Sequence, residues 1–188
     1  FPAEKKPILT IRSGDTVKID TGGGSGWTRD KKDPGAWLKE NGVPVGVDFP
    51  AVAETIAVLE KTPRYGGIES GHLMVGPIAI DGAMPGDSIE IRIHSVRTRI
   101  PYGTTGRTPG RSLRQYEGAR PAAKVTVFDL QKNVAKFLPG VEIPLRPFMG
   151  VMGLAPPAYE GPHRRSTAPG LAGGNFDLTE LTDGSTLY

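Results

Sequence analysis

Ile78-Ala79-Ile80-Asp81-Gly82-Ala83-Met84-Pro85-Gly86-Asp87-Ser88-Ile89-Glu90-Ile91-Arg92-Ile93-His94-Ser95-Val96 is the stretch that decides the fold class. In its second half Ile89, Ile91 and Ile93 alternate with Glu90 and Arg92. A period of two puts the isoleucines on one face of an extended chain, the pattern of a strand buried on one side only. Between the apolar runs, Pro85-Gly86-Asp87 is turn chemistry: Gly accepts a positive φ, and Asp bonds nearby backbone N–H groups. The stretch is therefore predicted as strand, turn, strand. The same logic predicts a hairpin upstream, from Ile8-Leu9-Thr10-Ile11-Arg12 across Ser13-Gly14-Asp15 to Thr16-Val17-Lys18-Ile19-Asp20. A third hairpin is predicted from Lys124–Leu130 across Gln131-Lys132-Asn133 to Val134–Leu138, and Ile143, Leu145, Phe148, Val151 and Leu154 continue the buried pattern through short strands.

The one helix that the spacing predicts runs from Pro50 to Lys61. Val52, Ile56 and Leu59 recur at helical spacing, Pro50 suits a first turn, Asp48 can cap it, and Thr62-Pro63 ends it. Residues 22–46, from the triple glycine past Trp27 and Trp37, are predicted as a long loop serving as lid or interface. The fold expected is mainly β, a β-sandwich or distorted barrel with one short helix and long loops, as one β-rich domain over residues 1–188. The closing Gly184-Ser185-Thr186-Leu187-Tyr188 reads as a turn and the start of an apolar strand. A strand stub leaves ladder groups unpaired. The domain is accordingly expected to be incomplete at its carboxyl end, with the remainder following or supplied by a second chain.

Composition narrows the function classes. With 37% hydrophobic and 23% charged residues the chain falls between disordered and membrane proteins. Its 26 Gly and 18 Pro are spread along the chain, which fits many tight turns and not a repeat or linker. The net charge is +3, with basic and acidic residues interleaved, so nucleic acid is not an expected partner. No apolar run approaches the ~18 to 20 residues of a spanning helix, and no membrane partner is expected. The absence of Cys excludes thiol catalysis, thiolate zinc sites, iron–sulfur clusters and disulfides. The chain begins with Phe1. A trimmed start, for which cleavage of a secretory signal is one cause, leads to the expectation of a secreted or periplasmic protein, with a cytoplasmic one as the alternative.

Six strings are more particular than generic β-protein turns: Pro7–Val17, Gly71-His72-Leu73-Met74-Val75-Gly76-Pro77-Ile78, Pro85-Gly86-Asp87 with its strand, Arg99-Ile100-Pro101-Tyr102-Gly103, Ile143–Pro156, and Pro169-Gly170 with Gly173-Gly174-Asn175-Phe176-Asp177. In this order they resemble the acetamidase/formamidase family over essentially the whole chain. The resemblance implies hydrolysis of small aliphatic amides such as formamide or acetamide to ammonia and carboxylate, on a β-sandwich-containing fold, in homo-oligomers. Two departures accompany it. The family's Gly-Asp-x-His-Ala-x-x-Gly-Asp-Gly-Glu type of segment is absent, and Ala172 stands where the family often has His before Gly-Gly-Asn.

Amide hydrolysis needs an activated nucleophile, a carbonyl polariser and a proton donor for the departing amine. Without Cys, and without a Gly-Ser-Ser-Gly-Gly string, a water activated by a divalent metal ion (zinc or calcium) or by a carboxylate is the expectation. His72 is a candidate metal ligand through neutral imidazole. Asp177 is a candidate metal ligand or general base, Asn175 and Gly174 are candidates for holding the substrate amide, and Glu69 is a candidate for acid–base work. Each has a plainer alternative. His72 can be a hydrogen-bonded loop histidine, Gly-Gly-Asn-x-Asp a turn with local side-chain bonding, and Glu69 a solvated carboxylate. His94 is read as structural, His163 as solvent-facing and Arg146 as a paired structural arginine. A β-sandwich that binds a small ligand without turnover is the non-enzymatic alternative; lack of Cys excludes a blue-copper site on it.

Overall fold

The computed structural model describes residues 6–21, 33–44, 50–61, 72, 74–107, 122–156, 166–167 and 169–188. Among these the fold is mainly β, with ten short strands and two helices. One sheet has four strands and three others are two-stranded pairs, with no closed barrel among the described residues. The chain divides into two compact units.

One unit carries both helices and the larger sheet. Helix α1 (Pro34–Glu40) corrects the expectation of a continuous loop over residues 22–46 and of a single helix. Its local chemistry is complete: Asp33 caps it by accepting from the Ala36 N–H at 2.9 Å, and Pro34 opens the first turn. Gly42 at φ +75 ends it, and the Val43 N–H returns to the Leu38 carbonyl at 3.0 Å. Trp27, with residues 22–32 and 45–46 of the expected loop, lies outside the described residues. Helix α2 (Pro50–Lys61) has the predicted bounds, while its expected cap Asp48 lies outside the described residues. Val52 is fully buried and Ile56 packs beside it. Around Val52 gather Leu38, Val43, Ile100 and Tyr102, with Trp37, Val125 and Val127 against them. Burying each such aliphatic side chain contributes roughly 1.5–3 kcal/mol. Arg99 ties α2 down, donating to the Glu54 carboxylate, the Ala51 carbonyl and the Thr55 hydroxyl.

The sheet of this unit runs β4 (Tyr102–Arg107), β5 (Ala122–Asp129), β6 (Val134–Leu138) and β7 (Val141–Pro144), each antiparallel to the next. The β5–β6 hairpin is the predicted third one. Asn133 supplies a positive φ of 56° in its turn, and the Asp129 carboxylate accepts from the Lys132 N–H at 3.0 Å. Arg146, expected as a paired structural side chain, is exposed.

The other unit is built from pairs between segments distant in sequence. The two expected hairpins at 8–20 and 78–96 do not form. Strand β1 (Leu9–Ile11) instead pairs in parallel with β2 (Ile78–Ile80), and β3 (Ile91–Arg92) pairs antiparallel with β10 (Thr186–Leu187). The turns themselves follow the predicted chemistry. The Asp15 carboxylate accepts from the Arg12 N–H, and the Asp87 carboxylate from the Met84 N–H, both at 2.8 Å. Two adjacent apolar runs and a good turn fix where the chain bends, but not which strand satisfies each edge. The isoleucine alternation holds, with Ile93 buried between exposed Arg92 and His94. Thr186 and Leu187, read as the start of an apolar strand, are laddered to Arg92 and Ile91. Strand β8 (Val151–Gly153) pairs antiparallel with β9 (Gly173–Asn175). None of the helices in the described residues is long and apolar enough to cross a membrane.

Residues after β9 return repeatedly to earlier segments. The Met149 N–H donates to the Leu181 carbonyl at 2.8 Å, the Thr182 hydroxyl to the Pro147 carbonyl at 3.0 Å, and the Ile93 N–H to the Ser185 carbonyl at 2.9 Å. The Asp183 carboxylate accepts from the Val96 N–H at 2.6 Å and from Arg97 at 2.5 Å. The Val96 N–H first, and Arg97 second, hold this carboxyl below its usual value of 3.8. A depressed folded pKa means that the stabilisation is present above the unfolded value and lost as pH falls through the folded one. Urea midpoints measured from about pH 5 down to about pH 2 should therefore drop, and Asp183→Asn should flatten that drop. An unchanged pH slope in the variant would remove Asp183 from the acid response.

Candidate functional site

Strand β9 leads into the residues singled out by sequence. Gly174 is buried with φ +134, a conformation open to glycine, and Asp177 itself takes φ +50. Among side chains, Asp and Asn enter that left-handed region most readily. The backbone N–H groups of Phe176 and Asp177 both donate to the Gly150 carbonyl, at 2.9 and 3.1 Å. A β-carbon at Gly150 would lie 3.2 Å from Asp177 Oδ1 and 3.4 Å from Phe148 Cε2. The carboxylate thus sits over a position that has no side chain, and Asp177 is exposed.

Asn175 Nδ2 donates to Asp177 Oδ2 at 2.9 Å. This bond fixes the amide's orientation, because turning it over would set Oδ1 against a carboxylate oxygen. Asn175 Oδ1 is left as a buried acceptor with no partner among the described residues. Such an orphaned oxygen costs about 1–3 kcal/mol. The same contact also satisfies the plainer reading of Gly-Gly-Asn-x-Asp as a locally bonded turn.

His72 is exposed and is held by a residue that sequence reasoning missed. The Ser166 hydroxyl oxygen lies 2.9 Å from the His72 backbone nitrogen and 3.0 Å from its Nδ1. The two residues are 94 apart, and Ser166 is only 5% exposed. Neither local spacing nor composition signals this pair. Glu69 and His163 lie outside the described residues. No group of three or more His, Cys, Asp or Glu side chains that could hold a metal ion occurs among the described residues. His72 and Asp177 are chemically suitable donors, yet the described side chains do not by themselves make up a metal centre.

A family model described as the acetamidase/formamidase family matches residues 64–160, just over half of the chain. The match includes His72, whereas Asn175 and Asp177 lie beyond it. An acetamidase from Bacillus halodurans is similar at 29% identity, covering 59% of this chain and 36% of that one, with a TM-score of 0.48. A predicted acetamidase/formamidase from the thermophile Thermoanaerobacter tengcongensis is similar at 20% identity, covering 99% of this chain and 51% of that one, with a TM-score of 0.61. The latter is a likeness of fold, and the chain spans about half or less of either neighbour's length. No curated protein matches the chain in sequence. By the extent of the family match, this chain belongs to the acetamidase/formamidase family.

Proposed function

We propose that this protein hydrolyses short aliphatic amides of the formamide or acetamide type to carboxylate and ammonia, using a water activated at Asp177. Family membership over residues 64–160 is the observation that carries the reading. An amide is a poor electrophile with a poor leaving group, so its hydrolysis needs a base on water and a proton for nitrogen. The exposed Asp177 carboxylate takes a proton from water as the water oxygen adds to the amide carbonyl carbon. The same proton then passes to the amide nitrogen, the C–N bond breaks, ammonia leaves, and the carboxylic acid so formed gives up its remaining proton to solvent to become the carboxylate. Asn175 holds Asp177 through Nδ2 and so sets the carboxylate that meets the substrate amide. Gly174 is a candidate for holding the substrate amide, and Glu69 is a second acid–base candidate.

Ammonia release from formamide, acetamide and longer amides by the full-length protein tests the proposal. Turnover that falls as the acyl chain lengthens is expected; no ammonia from any short amide would end it. Parallel runs with a chelator separate a water activated by the carboxylate alone from one that also needs a divalent ion.

A further inference from the structure

We infer that Ser166 is a positioning residue that sets His72 in its Nε2–H form, so that the exposed imidazole offers a hydrogen-bond donor and not a metal-ligating lone pair. A backbone N–H can only donate, so the Ser166 oxygen accepts from the His72 main chain at 2.9 Å. Its own proton then needs an acceptor. Ser166 is 5% exposed, and among the described residues its one remaining contact is His72 Nδ1 at 3.0 Å. A buried hydroxyl keeps its proton bonded where an acceptor is within reach. The O–H therefore points at Nδ1, which must be the unprotonated nitrogen, and the ring proton resides on Nε2. Both contacts fall on a single residue 94 positions away, so they grip backbone and ring together and limit rotation of an exposed side chain.

The burial also separates this role from nucleophilic attack. A serine nucleophile must reach the carbonyl carbon, whereas this oxygen is enclosed and bonded on two sides. Ser166 holds the imidazole and does not attack. Resting on the amide-hydrolysis reading, the inference gives His72 the part of carbonyl polariser, its Nε2–H directed to the oxygen on which negative charge develops.

Long-range proton–nitrogen NMR spectra of the full-length protein, recorded at a pH where His72 is neutral, test it. The expected result is one tautomer, with His72 Nδ1 at the shift of a bare ring nitrogen and Nε2 at that of an N–H. Ser166→Ala should move both shifts toward an exchange average, and Ser166→Thr, which keeps the hydroxyl, should restore them. With a hydrolysable amide, Ser166→Ala should lower kcat about tenfold with KM nearly unchanged, the behaviour of an interaction made mainly in the transition state. A protonated Nδ1 in the parent protein overturns the inference without any variant, and so do identical ring shifts in parent and Ser166→Ala. Should the parent release no ammonia, the amidase reading falls alone, because the ring spectra still decide the tautomer.

Discussion

On the proposed amide hydrolysis, Asp177→Asn is expected to lower kcat/KM for a short amide by about 10²- to 10⁴-fold, the usual contribution of a positioned general base. The substitution is chosen for what it leaves in place. Asn tolerates the φ of +50 as well as Asp does, so the backbone has no reason to move. The two main-chain bonds to the Gly150 carbonyl involve the nitrogens of residues 176 and 177 and not the side chain. A carbonyl oxygen remains to accept from Asn175 Nδ2, replacing the bond now made at 2.9 Å. What disappears is the negative charge proposed to take the water proton. Ammonia-release kinetics and a urea melt, measured side by side, separate the two effects: activity should collapse while stability moves by less than about 0.5 kcal/mol, as for an exposed site. Activity within a few-fold of the parent would show that another group is the base.

Gly173→Ala is expected to cost roughly 2–5 kcal/mol, the sum of left-handed backbone strain and overpacking. Gly173 has φ +78, and a β-carbon there would lie 2.6 Å from the Met152 carbonyl oxygen and 2.9 Å from Gly153 Cα. Both neighbours are backbone of β8, directly across the ladder from β9. Relief requires the strands to part, and β9 leads straight to Asn175 and Asp177, so activity should fall with stability. Gly14→Ala is the control. Its φ is +91, but an added β-carbon meets nothing within 4 Å, so only the backbone term of about 1–2 kcal/mol applies. Equal shifts in urea midpoint for the two variants would mean that the close approach of β8 and β9 is not what Gly173 serves.

The local features of this protein are legible in its sequence, and the distant ones are hidden. Helix α2 and the β5–β6 hairpin follow from spacing because their decisive contacts lie within a few residues. Helix α1 is equally local, and Asp33-Pro34 is its signal, but the glycine-rich stretch beside it masks that signal and makes the whole region read as one loop. The partners of β1 and β3 are not readable, since alternation reports which face is buried and says nothing of which edge is met. The candidate site divides the same way. The Asn175–Asp177 contact spans two residues and is visible as a motif, whereas the grip of Ser166 on His72 spans 94 and leaves no local trace.

The closing segment is fastened largely main chain to main chain: Phe176 and Asp177 to Gly150, Met149 to Leu181, Ile93 to Ser185, and Gly184 to Ile93. Peptide groups are the same in every residue but proline, so such fastenings ask little of the amino acids that carry them. A scaffold of this kind can drift in sequence while its path through space persists. That is consistent with a neighbour sharing one residue in five while following 99% of the chain at a TM-score of 0.61.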